Sequence, residues 1–191
     1  MFPVTLAILA GGQSSRMNYR NKAFLSYQEK TFVERLIEAG SDFEEVIIVA
    51  NTKEAYENFN LQVVSDVYPG KGPLSGIHAA LRVAKTSTVL CVACDMPLTS
   101  REVLNGLAQI SGDYDVLVPE YEGRLQPLCA IYSKKIKNKI EEQLKKDDFK
   151  LQYFIRQLNY QVIRELPHRP FKSTDFLNVN TPTDLSELEE M

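Results

Sequence analysis

The chain has 191 residues, 44% hydrophobic and 25% charged, with three cysteines and a formal charge of −3. That length supports one domain, residues 1–191, able to bury roughly 70% of its unfolded surface, and the composition excludes a disordered chain or a disulfide-stapled miniprotein. An acidic balance lacks the basic footprint that nucleic-acid binding requires, and with no basic leader and no stretch near ~18 apolar residues a cytoplasmic protein without membrane contact is expected.

Val4, Leu6, Ile8 and Leu9 form the first apolar run, the pattern of a strand buried on both faces of a parallel sheet. The chain leaves it through Leu9-Ala10-Gly11-Gly12-Gln13-Ser14-Ser15-Arg16-Met17, and Lys22 follows. Two successive glycines let the backbone approach a ligand closely, and Ser14 and Ser15 add hydroxyls and N–H groups. Arg16, Arg20 and Lys22 place three positive charges within seven residues, which suits a triphosphate of about four negative charges partly neutralised by Mg²⁺. This is the pattern of a phosphate cradle. Adjacent glycines without a third fit neither the G-x-G-x-x-G fingerprint nor the P-loop.

Thr31 to Ala39 reads as an amphipathic helix stopped by Gly40, Glu45 to Ala50 as a strand, Lys53 to Phe59 as a short helix and Gln62 to Ser65 as a third strand. Gly70-Lys71-Gly72-Pro73-Leu74-Ser75-Gly76-Ile77 reads as a second glycine-rich loop leading straight into a helix, whose apolar positions are read over Ser75 to Ala84. A buried strand over Thr88 to Cys94 and a helix from about Arg101 to Ile110 follow. Alternating strands and helices imply a doubly wound parallel sheet whose ligands sit at the carboxyl ends of the strands. Tyr114 to Val118 and Leu128 to Tyr132 suggest a small antiparallel excursion around Glu120-Tyr121-Glu122-Gly123-Arg124. Lys134 to Lys146 is a solvated amphipathic helix on the stripe Ile136, Ile140 and Leu144. Leu151 to Leu158 reads as a helix, Gln161 to Leu166 as a short strand and Leu185 to Glu190 as a closing one, although Thr181-Pro182 is in itself a good helix start.

Cys91 and Cys94, three apart on one strand, should point to opposite faces and so share neither a metal nor a disulfide. Asp95 follows that strand directly, at the carboxyl edge of the sheet, where one aspartate together with phosphate oxygens can hold Mg²⁺; Ser100 is the better cap for the next helix. Asn51 and Asp66 occupy similar positions after the second and third strands, facing the same crevice, and either can read a base or ribose. His78 and His168 stand in no recognisable relay and are assigned to packing or the surface.

Four segments, Leu9 to Lys22, Gly72-Pro73-Leu74-Ser75-Gly76, Cys94-Asp95-Met96-Pro97 and Asn178-Val179-Asn180-Thr181-Pro182-Thr183-Asp184-Leu185, resemble in order the signatures of the molybdenum cofactor guanylyltransferase (MobA) family. Two positions depart from it: Asn18 where the pattern usually has glycine, and Asn21 where it usually has aspartate. The resemblance implies an α/β fold with three layers, a Rossmann-like, mostly parallel sheet of the nucleotide-diphospho-sugar transferase type. It implies Mg²⁺-dependent transfer of GMP from GTP to molybdopterin, and transient contact with cofactor-delivery proteins. Leu9, Ala10, Gly11, Gly12, Lys22, Asn51, Asp66 and Asp95 would bind the nucleotide, with Mg²⁺ on Asp95 and catalytic roles for Arg16, Lys22 and Asp95. A weaker likeness around Gly123-Arg124-Leu125-Gln126-Pro127 would place Arg124 and Gln126 on the acceptor side, with Gly76, Asn178 and Asn180. The alternatives are a relative using CTP or another acceptor, and a degenerate nucleotide-binding homologue.

Overall fold

The computed structural model describes residues 1–11 and 21–190. Gly12, Arg16, Asn18 and Arg20 of the proposed phosphate cradle therefore lie outside the described residues. The strands are β1 (Phe2–Leu9), β2 (Ser26–Tyr27), β3 (Lys30–Thr31), β4 (Phe43–Val49), β5 (Gln62–Val64), β6 (Thr88–Ala93), β7 (Val116–Tyr121), β8 (Arg124–Leu125), β9 (Cys129–Ser133), β10 (Tyr160–Ile163), β11 (Glu165–Leu166) and β12 (Arg169–Pro170). The helices are α1 (Phe32–Ala39), α2 (Gly72–Val83), α3 (Arg101–Ala108), α4 (Lys137–Lys145), α5 (Leu151–Ile155) and α6 (Pro182–Glu189).

The central sheet runs β10-β7-β9-β6-β1-β4-β5, with β8 paired to β7. β1 is parallel to β4 and β6, β4 to β5, and β7 to β10. The antiparallel excursion is β9, inserted between β6 and β7, together with the hairpin of β7 and β8. Because side chains alternate along a strand, β1 sends Leu6 and Ile8 into one apolar layer with Val33 and Leu36 of α1 and Val103, Leu104 and Leu107 of α3. Ala7 and Leu9 enter the opposite layer with Leu74, Ile77 and Leu81 of α2 and Ile140 and Leu144 of α4. The result is a three-layer, mostly parallel α/β architecture.

Local signals set several boundaries as expected. Thr31 caps α1 with a reciprocal bond from Glu34, and Ser100 caps α3 by accepting from Val103 N. Four expectations need correction. The Gly72-Pro73-Leu74-Ser75-Gly76 segment is not loop but the first turns of α2, because Pro73 fits where helical N–H groups have no partner anyway, while positive φ at Gly70 (80°) and Gly72 (67°) makes the turn. α5 stops at Ile155 rather than running to Leu158, whereas the short helix expected over Lys53–Phe59 is present in 3-10 form and ends on left-handed Asn60. Gln161 to Leu166 is not one strand: β10 ends at Ile163, and Glu165–Leu166 turns back against Arg169–Pro170. Leu185 to Glu190 is not a strand, since Thr181 and Asp184 form a capping box and start α6. Among the described residues no helix is long and apolar enough to cross a membrane.

Candidate active site

The parallel strands end along one edge, and each exit is tied to its neighbour. Ala10 N–H donates to the Val49 carbonyl at 2.9 Å, Ala50 N–H to Val64 at 2.9 Å and Cys94 N–H to Leu9 at 3.0 Å. The residues that follow these strands, Ala10 and Gly11, Asn51, Asp66 and Asp95, therefore share one rim.

Lys22 opens a 3-10 turn, Lys22–Phe24, capped by Asn21, whose Oδ1 accepts from Ala23 N at 3.1 Å. From this turn Lys22 Nζ donates to Asn180 Oδ1 at 2.7 Å and stands 3.6 Å from Asp95 Oδ2. Both members of that pair are largely shielded, with side chains 16% and 20% exposed, so their attraction is screened less than that of a surface pair. Asp95 is further held by its backbone, since its carbonyl accepts from Val179 N at 2.8 Å. Asp184 Oδ2 accepts from the N–H groups of Asn180 at 2.7 Å and Thr181 at 2.8 Å. The Asn180 N–H is the main cause of an Asp184 carboxyl held below the usual range.

Burial raises the Asp95 carboxyl above its ordinary value, opposed by the Lys22 charge. Its Oδ1 is buried and has no hydrogen-bond partner among the described residues. A carboxylate oxygen left bare in this way costs stability, and it is a ready ligand for a hard cation. Among the described residues no group of three or more His, Cys, Asp or Glu could hold a metal, so any ion on Asp95 must draw its other ligands from elsewhere.

Farther along the rim, Asp66 N–H donates to Asn51 Oδ1 at 3.0 Å, which locks the two predicted readers together. Burial also raises the Asp66 carboxyl, with the Asn51 hydrogen bond opposing. Gly76 faces them. A Cβ there would sit 3.5 Å from Leu9 Cδ2, 3.7 Å from Val49 Cγ1 and 3.8 Å from Asp66 Oδ1. Thus Gly76, expected on the acceptor side, stands beside Asp66. Arg124 and Gln126 belong to the turn next to the end of β6, where Ala93 N–H donates to the Leu128 carbonyl. Gln126 Nε2 donates to the Arg124 carbonyl at 3.3 Å and Asn178 Nδ2 to the Phe176 carbonyl at 3.0 Å, and among the described residues neither side chain is hydrogen-bonded to Lys22, Asp95 or Asn180.

Cys91 and Cys94 enter opposite apolar layers, and all three cysteines are free and buried. Burial pushes the Cys94 and Cys129 thiols up to about 12, which removes them as nucleophiles at neutral pH. His78 is buried in α2, 4.0 Å from Glu141 of α4, and His168 is exposed. Two participants escaped the sequence reading. Asp184 had a signal in the Thr181…Asp184 spacing of a capping box, whereas Tyr56, whose hydroxyl accepts from Asn21 Nδ2 at 2.9 Å, had none.

Residues 6–162 match the model of the MobA-like NTP transferase domain. The chain belongs to the MobA-like NTP transferase family. It is 46% identical over 193 residues to a probable molybdenum cofactor guanylyltransferase of Clostridium perfringens, covering 98% of this chain and 97% of the relative. A protein of the same name from Carboxydothermus hydrogenoformans is 42% identical over 188 residues, covering 97% and 94%. The crystal structure of molybdopterin-guanine dinucleotide biosynthesis protein A from Archaeoglobus fulgidus superposes with a TM-score of 0.81 at 27% identity, covering 98% of this chain and 97% of that one. In this member of the MobA-like NTP transferase family, Lys22, Asp95, Asn51 and Asp66 stand on the one rim where the parallel strands end.

Proposed function

We infer that this MobA-like transferase moves GMP from GTP to molybdopterin, releasing pyrophosphate and forming the guanine dinucleotide cofactor. The observation that carries the reading is the meeting of Lys22 and Asp95, 73 positions apart in sequence, on the rim that also holds Asn51 and Asp66. The near full-length likeness to proteins bearing the guanylyltransferase name supports it.

In this reading a terminal phosphate oxygen of the pterin attacks the α-phosphorus of GTP in line. The new P–O bond forms as the bond from the α-phosphorus to the bridging oxygen breaks, and pyrophosphate leaves with that electron pair. A phosphate nucleophile is already ionised near neutral pH, so no general base is needed, which accords with two histidines placed in packing and surface positions. Gly11 and Gly12 cradle the phosphates with Leu9 and Ala10. Lys22 and Arg16 offset charge on the α-phosphate and the leaving group. Asn180 aims Lys22. Asp95, with its bare Oδ1, would hold Mg²⁺, and when bound the ion supplies positive charge against the triphosphate. Asn51 and Asp66 would read base or ribose, while Arg124, Gln126, Asn178 and Asn180 border the acceptor. The whole chain, 1–191, acts as one nucleotidyltransferase domain in the cytoplasm and receives molybdopterin through transient contacts.

The departure at Asn21 does not argue for a degenerate homologue, because Asn21 still caps the turn and Lys22 still reaches Asp95. The test is pyrophosphate release from GTP, CTP and ATP, each with and without molybdopterin and Mg²⁺. Release from GTP alone among them, dependent on pterin and Mg²⁺, is expected. Preference for CTP would assign the protein to the related cytidylyl chemistry, and GTP binding without release would reject the enzyme. Lys22→Ala should lower turnover on the order of 10²- to 10³-fold, the scale set by removing one preorganised charge-stabilising donor.

A further inference from the structure

Tyr56 lies on the 3-10 segment Lys53–Phe59, which begins just after Asn51, and it is fully buried. Its ring centroid is 5.0 Å from that of Phe24 and 6.4 Å from that of Phe59. Burial pushes its hydroxyl up to about 12, so it remains neutral across the physiological range. That hydroxyl accepts the Asn21 amide N–H at 2.9 Å. An amide held by its nitrogen end has its oxygen orientation decided, and Asn21 Oδ1 turns to the Ala23 N–H, closing the cap of the turn that begins with Lys22. Within that turn Leu25 N–H returns to the Lys22 carbonyl at 3.0 Å, so capping constrains the backbone from which Nζ reaches Asn180 and Asp95.

We propose that Tyr56 is a positioning residue for Lys22: its hydroxyl orients the Asn21 side chain, and the oriented cap sets the direction in which the lysine leaves its turn. Asparagine suits this role because its amide donates to a buried hydroxyl, which a carboxylate cannot do. It also leaves Asp95 as the carboxylate at Lys22, without a second acid in the adjoining position. The same segment runs on from Asn51, so the nucleoside end of the rim and its cationic end are tied through one buried ring. The proposal rests on the assignment of Lys22 to the phosphates.

Tyr56→Phe removes one oxygen and keeps the ring. Misplacing a catalytic group by a fraction of an ångström to about 1 Å costs up to 10²-fold, and here turnover should fall about tenfold, with kcat changing more than KM for GTP and the melting temperature staying within a few degrees. Asn21→Leu, at an exposed position, should reproduce that loss, and the double variant should be no worse than Asn21→Leu alone. In a Lys22→Ala background Tyr56→Phe should have no further effect. Wild-type turnover in Tyr56→Phe, or the same tenfold loss when Lys22 is already absent, would overturn the positioning role while leaving Lys22 in place. Normal turnover in Lys22→Ala would instead remove the reading on which the proposal stands.

Discussion

Gly76→Ala separates stability from nucleotide recognition. Gly76 is an interior residue of α2, and an added Cβ meets Leu9 Cδ2 at 3.5 Å, Val49 Cγ1 at 3.7 Å and Asp66 Oδ1 at 3.8 Å, all ordinary van der Waals distances. Replacing an interior helical glycine by alanine gains about 0.5–1 kcal/mol, and the methyl would pack on two apolar side chains. The total, about 1 kcal/mol, corresponds to a rise of about 2–4 °C in melting temperature for a chain of this size. The same methyl lies 3.8 Å from Asp66 Oδ1, the carboxylate proposed to read the base or ribose. Moving a bound base by about 1 Å there should raise KM for GTP at least tenfold. Differential scanning calorimetry and pyrophosphate-release kinetics on one preparation give both readouts. A lowered melting temperature would refute the packing argument, and an unchanged KM in a stabilised protein would refute a nucleoside held against Asp66 beside Gly76.

Asp66→Asn tests the electrostatics of the same wall. Burial raises the Asp66 carboxyl, so the folded state holds its proton more tightly than the unfolded state. The stability this confers is fully present below the ordinary aspartate value and is lost as pH rises through the higher folded value. The asparagine variant should therefore melt above the wild type at pH 7 and lose that advantage as pH falls below about 4; an advantage independent of pH would contradict the assigned cause. Arg169→Met tests the strap that carries the C-terminal segment. Arg169 binds buried Asp175 through two bonds of 2.7 and 2.9 Å and Glu102 through a third of 2.7 Å. Removing one partner of a buried pair costs about 3–5 kcal/mol, so the melting temperature should drop by roughly 6 °C or more, and a change under 2 °C would show that the network contributes little.

The sheet was readable because its strands obey local rules. β1 and β6 are nearly continuous apolar runs, and Asp95 follows β6 with only Cys94 between them. Ser100, better placed than Asp95 to cap α3, left Asp95 free for the rim, and the structure keeps that division. The start of α2 was misread because Gly70 and Gly72 resemble loop, while the helix needs only Pro73 in its first turn. The end of the chain was misread where apolar Leu185 and Leu188 outweighed the capping box that actually decides the element. Tyr56 was invisible for a different reason: its contact with Asn21 spans 35 positions and obeys no periodicity. The bond between Lys22 and Asn180 spans 158 positions. Its two motifs could be recognised separately, but only tertiary structure puts one in contact with the other.

That last contact explains why the site needs more chain than the sheet does. The transferase domain match ends at residue 162, yet Val179 braces the Asp95 backbone, Asn180 takes Lys22 Nζ, and Asp184 fixes the Asn180 and Thr181 amides. The segment is held by contacts within the protein itself: Phe171 and Phe176 pack at 4.9 Å between ring centroids, Thr99 Oγ1 donates to the Asp175 carbonyl at 2.9 Å, and Thr181 starts α6. A cation left to itself beside a partly buried aspartate would collapse onto it and cancel the charge needed for phosphate. Lys22 Nζ sits 2.7 Å from Asn180 Oδ1 and 3.6 Å from Asp95 Oδ2, so its shorter bond goes to the amide, while the other carboxylate oxygen, Asp95 Oδ1, has no partner among the described residues. The neutral amide thus shares Lys22 with Asp95, an arrangement that suits the Mg²⁺-triphosphate site proposed above.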